Sequence, residues 1–119
     1  MFEHPLEERC YQFGKRVRNF CRRLKKDLAN IEDIKQLVRA SGSVGANYIE
    51  ANENLGKGDL KFRLKLSRKE SKETIHFLGL IEVFGDSDLD NEREELIDEA
   101  TQLRRIFSSM IKKLESNDE

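Results

Sequence analysis

Residues 5–28 read PLEERCYQFGKRVRNFCRRLKKDL, with apolar side chains at Leu6, Cys10, Phe13, Val17, Phe20, Cys21, Leu24 and Leu28. Gaps of three and four place these residues on one face of an α-helix, the pattern of a bundle seam. Pro5 takes the favoured first helical position, and Glu7 and Glu8 lie in the first turn, where the helix dipole favours negative charge. The first helix is therefore expected over about 5–28, closed by Asn30.

The same period continues along the chain. Asp33 and Gln36 resemble a capping box for a second helix over about 33–51, with Ile34, Leu37, Val38, Ser41, Val44, Gly45 and Tyr48 on its seam. Residues 52–59 contain Gly56 and Gly58 and read as a loop, with Asp59 as N-cap of a third helix over about 59–84. Gly85, Asp86, Ser87 and Asp88 form the next turn. Leu96, Ala100, Leu103, Phe107, Met110 and Leu114 mark a fourth helix over about 90–115, and residues 116–119 are expected to fray. Four amphipathic segments joined by short polar turns predict an all-α fold, an antiparallel up-and-down four-helix bundle.

The 119 residues fit one domain spanning 1–119. Charged residues form 38% of the chain and there is one proline, which favours long solvated helices over a sheet sandwich. The net charge of -1 and the regular return of Leu, Ile, Val and Phe argue against disorder. Apolar runs are far shorter than the roughly 20 residues that cross a bilayer. Residues 1–5 lack a basic-then-apolar leader, so a cytoplasmic protein without a membrane partner is expected. Cys10 and Cys21 are about 16 Å apart along one helix, too far to bridge, and read as free core thiols.

Charge is distributed more tellingly than its sum. Between residues 15 and 26 seven cations, Lys15, Arg16, Arg18, Arg22, Arg23, Lys25 and Lys26, occur without an acid. At 100° per residue they fill the half of the helix opposite the apolar seam. That stripe is the candidate surface for nucleic-acid phosphates. A second cluster, Lys61, Arg63, Lys65, Arg68, Lys69 and Lys72, begins the third helix, whereas residues 86–99 carry eight acids and one arginine.

Two segments depart from simple amphipathicity. Residues 40–46, ASGSVGA, crowd small side chains into mid-helix although each glycine costs about 1 kcal/mol there, which implies close approach by a neighbouring helix or subunit, or a ligand on bare backbone. Residues 75–84 are apolar nearly all round, and the surplus face assigns Phe77, Leu80 and Phe84 to a subunit interface.

Glu73 and His76 form a Glu-x-x-His pair, the local geometry of di-iron bundles, but the only other histidine is His4, so a second such pair cannot be assembled within one subunit. No CxxC pair, Cys/His cluster, catalytic triad or GxxxxGK[ST] loop is present. No enzyme activity, cofactor or metal is expected.

Residues 39–51, RASGSVGANYIEA, together with 69–78, KESKETIHFL, resemble the bacterial 23S rRNA intervening-sequence proteins, a family also called four helix bundle proteins. The resemblance is close over helices 2 and 3, and helices 1 and 4 agree in length and pattern. It implies a homopentamer of antiparallel bundles with no established biochemical activity. A related family, the accessory variability determinants of diversity-generating retroelements, forms similar pentamers that engage nucleic acid and a reverse transcriptase. The family-motif polar positions are Arg39, Asn47, Glu50, Lys69, Glu70, Glu73 and Thr74, with Phe77 where the family often has tryptophan. From the residues alone, these polar groups are expected to pair across antiparallel helices 2 and 3, because half-buried charges require partners.

The resulting expectation is a non-enzymatic oligomeric bundle whose partners are copies of itself and RNA or DNA, or a ribonucleoprotein, held by the first helix. The alternative is a protein-interaction scaffold in which the basic first helix and acidic fourth helix dock subunits together. A metal-binding bundle is the remote third reading.

Overall fold

The computed structural model describes residues 2–117. Four helices follow in order: α1 (Pro5–Arg23), α2 (Leu28–Asn52), α3 (Lys57–Leu80) and α4 (Ser87–Ser116). Helices consecutive in sequence pack on one another and α1 also packs on α4, while the diagonal pairs α1/α3 and α2/α4 have no close backbone approach; across the α2/α4 diagonal the Tyr48 and Phe107 rings meet with centroids 5.7 Å apart. Cross-helix contacts fix antiparallel directions. Arg9 and Arg16 on α1 reach Glu99 and Glu92 on α4, in reverse order along the chain. The bundle measures 51 × 29 × 22 Å.

The core is the seam read from periodicity. Phe13, Val17 and Phe20 of α1, Leu37 and Val44 of α2, Leu64 and Leu78 of α3 and Leu96, Leu103 and Phe107 of α4 are buried. On the last turns of α4, Ile111 is the buried residue, and Met110 and Leu114 pack only partly against the core. Cys10 and Cys21 are buried free thiols.

The helix ends differ from expectation. α1 stops at Arg23, not near 28, because Leu24 turns extended and buries its side chain while Lys26 donates to the carbonyls of Cys21 and Leu24 at 3.2 and 2.9 Å. α2 begins at Leu28, five residues before the expected 33. Its N-cap is Asp27, whose carboxylate accepts the Asn30 N–H at 2.8 Å, so Asp33 and Gln36 are ordinary helix-interior residues. Leu28, expected on the seam, is 80% exposed. Gly56, at φ 134°, caps α3 in place of Asp59, which instead accepts the Leu55 N–H from within the first turn. α4 starts at Ser87, with the Asp86 carboxylate accepting the Leu89 N–H. At the other end Ser116 is the last residue of α4 and Asn117 its C-cap; expected fraying at 118 and 119 lies outside the described residues.

Residues 81–84, expected to be helical, run as a nonhelical strap over the end of the bundle. Ile81 and Val83 point inward and are buried, whereas Glu82 and Phe84 point outward. The strap ends in two positive-φ residues, Phe84 at 53° and Gly85 at 78°. Asn30 holds it in place. This buried amide donates to the carbonyls of Lys25 and Glu82, both at 2.9 Å, and accepts the Glu82 N–H at 3.0 Å. Far from ending α1, Asn30 ties the α1–α2 turn to the α3–α4 connection and leaves no buried polar group of its own unmet.

Candidate nucleic-acid interface

Five of the seven candidate cations lie on α1 and two, Lys25 and Lys26, in the turn after it. Among the described residues Arg16 alone of the seven meets a carboxylate: it pairs with Glu92 and, at 3.2 Å, with Glu95 of α4. Arg18 lies along the α1–α2 groove and donates to the carbonyls of Gly14 and Val38 at 3.0 and 3.4 Å. Arg22 donates to the neutral Asn19 amide. Lys15 and Lys25 stand over the rings of Tyr11 and Phe84, at 5.9 and 4.9 Å from the centroids. Arg23 is exposed, and Lys26 binds only carbonyl oxygens. Contacts to carbonyls, amides and rings bring no opposite charge, and five of the seven, Lys15, Arg22, Arg23, Lys25 and Lys26, are exposed, with Arg18 half-buried in the groove.

Arg9, outside the expected stripe, carries the stronger link to α4. Its guanidinium grips both oxygens of Glu99 at 2.7 and 2.8 Å and the Gln102 carbonyl at 2.9 Å. The hydrogen bond to Glu99 holds its pKa above the ordinary arginine value. Sequence spacing could have pointed to Arg9, seven residues before Arg16 and hence on the same helix face.

Small residues in α2 admit α1. A Cβ on Gly45 would stand 3.2 Å from Cys10 Cβ, and one on Gly42 would stand 3.0 Å from the Arg18 guanidinium. The backbone approach expected at residues 40–46 is therefore made by α1. Beside it lies a groove of about 440 Å³ whose lining includes Cys10, Tyr11, Arg18, Gly45 and Ile49. Burial raises the thiol pKa of Cys10 to about 12 and that of Cys21 to about 11, keeping both protonated and unreactive near neutrality.

The family-motif positions divide. Arg39 of α2 spans the gap to α3, reaching Glu73 at 2.7 Å and the nearly buried Glu70 at 3.3 Å, and Lys69 stands 4.0 Å from Glu73. The hydrogen bond that Arg39 donates to Glu73, aided by Glu70, raises the Arg39 pKa. Asn47 and Thr74 donate within their own helices, to the Ser43 and Glu70 carbonyls, and Glu50 is exposed. The cross-helix pairing thus rests on three charged residues and on Ser67, a residue the sequence reading passed over. Its buried hydroxyl donates to the Val44 carbonyl at 2.9 Å.

Of the interface candidates, Phe77 packs partly against the bundle's own core, which departs from its expected place on a surplus face. Leu80 and Phe84 are exposed, at 52% and 47%. The apolar excess of residues 75–84 has a local cause, since Ile81 and Val83 close the bundle end. His76 is exposed with its ring edge against Phe77, while Glu73 faces Arg39. Among the described residues no three His, Cys, Asp or Glu side chains converge on a metal position, and no helix is long and apolar enough to cross a membrane.

Neither a family model nor a curated protein matches the chain. The fold is similar to the crystal structure of a protein of unknown function from the S23 ribosomal protein family of Bacteroides thetaiotaomicron, with a TM-score of 0.76 over 89% of this chain and 97% of that one. At 24% sequence identity this likeness establishes a shared four-helix fold.

Proposed function

We propose that the protein is a non-enzymatic helical bundle that assembles with copies of itself and binds the phosphate backbone of RNA or DNA through the cationic face of α1. The carrying observation is that, among the described residues, six of the seven cations between residues 15 and 26 meet no carboxylate, although α4 presents several nearby. Docking between α1 and α4 occurs within the chain, through Arg9 and Arg16, which removes the main support for an electrostatic scaffold between subunits. Self-assembly is supported by exposed Leu80 and Phe84 at one end of the bundle, and a pentamer by the resemblance of α2 and α3 to the intervening-sequence proteins. Repetition around a ring turns a weak patch into a strong one wherever a ligand spans several copies.

Electrophoretic mobility shift with a mixed RNA pool, at low and high salt, tests the reading. Binding is expected to weaken steeply with salt and to show little sequence preference. Joint reversal of Arg22, Arg23 and Lys25 to glutamate should weaken it at least about tenfold. Lys26 is excluded from this set because it caps α1. Unchanged affinity in the triple variant, with circular dichroism intact, defeats the reading. Light scattering on the same samples reports the number of subunits.

A further inference from the structure

A second cationic surface lies on the opposite side of the bundle. Residues 60–69 of α3 and 104–113 of α4 contain five and four cations respectively, and no acid. The two stretches are level with each other, because Lys61 of α3 stands 3.7 Å from Glu115 of α4 at one end of the pair. Lys65, Arg68 and Lys72 follow Lys61 at intervals of four, three and four residues, which keeps them on the same α4-facing side of α3. Arg104 and Lys112 precede Glu115 by eleven and three residues and share its side of α4, with Arg105 next to them.

Lys65, Arg68, Lys72, Arg104, Arg105 and Lys112 have no side-chain ion pair or hydrogen bond among the described residues. The α3 acids nearest them in sequence, Glu70 and Glu73, are turned away to Arg39 on α2.

Spacing and chemistry both point to phosphate. Lys65 to Lys72 spans about 10 Å and Arg104 to Lys112 about 12 Å along their helices, at 1.5 Å per residue. The two rows are about 8–10 Å apart, the usual separation of packed helices. Each row therefore sets three cations against a stretch where one nucleic-acid strand carries about three phosphates. Phe62 is the one exposed aromatic ring in the two stretches and lies beside the Arg63 guanidinium, 5.9 Å from the ring centroid; a single ring does not make the succession of platforms on which single strands stack, which favours a paired backbone. A second copy's acidic α4 is the weaker match, since Glu92, Glu95, Glu99 and Asp90 are already paired to arginines of their own chain.

α1 and α3 are diagonal helices with no close backbone approach, and the bundle is 29 × 22 Å in cross-section. One straight duplex cannot lie on both cationic faces. We infer that the α3–α4 face binds the phosphate backbone of a double-helical nucleic acid, so that each protomer bridges two segments, one on α1 and one on α3–α4. The inference shares its polyanion with the proposed function and differs in the surface that holds it.

The test uses one mixed-sequence DNA duplex fixed to beads and a second, labelled duplex in solution, with the full-length protein added between them. Wild type should retain the labelled duplex in a salt-sensitive way, rising and then falling as protein is increased. Reversal of Lys65, Arg68, Lys72 and Arg104 to glutamate should abolish bridging while single-duplex binding through α1 persists, and the slope of log affinity against log salt should flatten. A parallel Arg22, Arg23 and Lys25 reversal should leave binding through α3–α4 and also lose bridging.

Bridging unchanged by the α3–α4 reversal overturns the inference and leaves the α1 reading standing. Full loss of both binding and bridging on that reversal, with none on the α1 reversal, overturns the α1 reading and the two-site bridge together. Self-association lost on the α3–α4 reversal, without any duplex binding by wild type, would assign the face to an acidic patch of a second copy and overturn the inference. Neutral replacements of the same four residues by glutamine guard against misfolding and should lose bridging as well.

Discussion

The first half of α4 sends Glu92, Glu95 and Glu99 to Arg16 and Arg9 of α1, whereas its second half, residues 104–113, carries four cations and lies beside the cationic side of α3. Both halves send seam residues into the core, with Leu96 and Phe107 fully inside. The difference is therefore confined to the surface. Charge in the first half meets its opposite within the chain and helps fix how α1 lies on α4. In the second half, charge of one sign is left beside charge of the same sign, an arrangement that adds repulsion to the fold.

The comparison is sharpened first by removing packing from each half. Phe107→Ala should lower unfolding stability by about 3–5 kcal/mol and Leu96→Ala by about 2–5 kcal/mol in denaturant titrations. A Leu96→Ala cost below about 1 kcal/mol would show that the acidic half is held by charge instead. Asn30→Ala tests the clamp ahead of the acidic half. It orphans the Glu82 N–H and two carbonyls, and a loss of roughly 2–3 kcal/mol is expected, with faster amide exchange confined first to residues 81–86.

Joint reversal of Glu92, Glu95 and Glu99 to lysine faces Arg9 and Arg16 with like charge and should cost roughly 1–2 kcal/mol, less at high salt. The two thiols respond to pH alone. Their folded pKa values of about 12 and 11 lie above the ordinary 9.0, so the folded state keeps protons that the unfolded chain releases. Their contribution is fully present below pH 9 and is lost as pH rises through the folded values, so stability should decline from pH 9 upward. Cys10→Ser and Cys21→Ser variants compared across that range check the slope.

The smallest effect belongs to the second half of α4. Arg104→Glu with Lys112→Glu should shift stability by no more than about 0.5 kcal/mol, and a loss like that of the acidic half would break the comparison.

Much of this was legible in the residues. The seam from Cys10 to Phe20, the number of helices and the Arg39–Glu70–Glu73 pairing follow from period and charge. The α1–α2 junction did not, because Lys26, Asp27 and Leu28 contain neither glycine nor proline, and the break depends on which carbonyls Lys26 reaches. Asn30 looked like a helix terminator since its partner, Glu82, lies 52 residues away. Residues 81–84 looked helical because a short apolar run has no period to separate a strap from a helix.

The candidate surface split in the same way. Cations on α1 were evident as a stripe, but only cross-helix contacts distinguish Arg16, neutralised by α4, from its six neighbours. On α3 and α4 two clusters some forty residues apart in sequence become one surface only when the helices pack side by side.

Sequence by itself determined an all-α chain with four amphipathic segments and segregated charge, since periodicity and sign are local properties of the residue order. Tertiary structure decided which charges meet. Electrostatic pairing depends on distances of a few ångströms between residues far apart in the chain, and those distances exist only once the helices have packed.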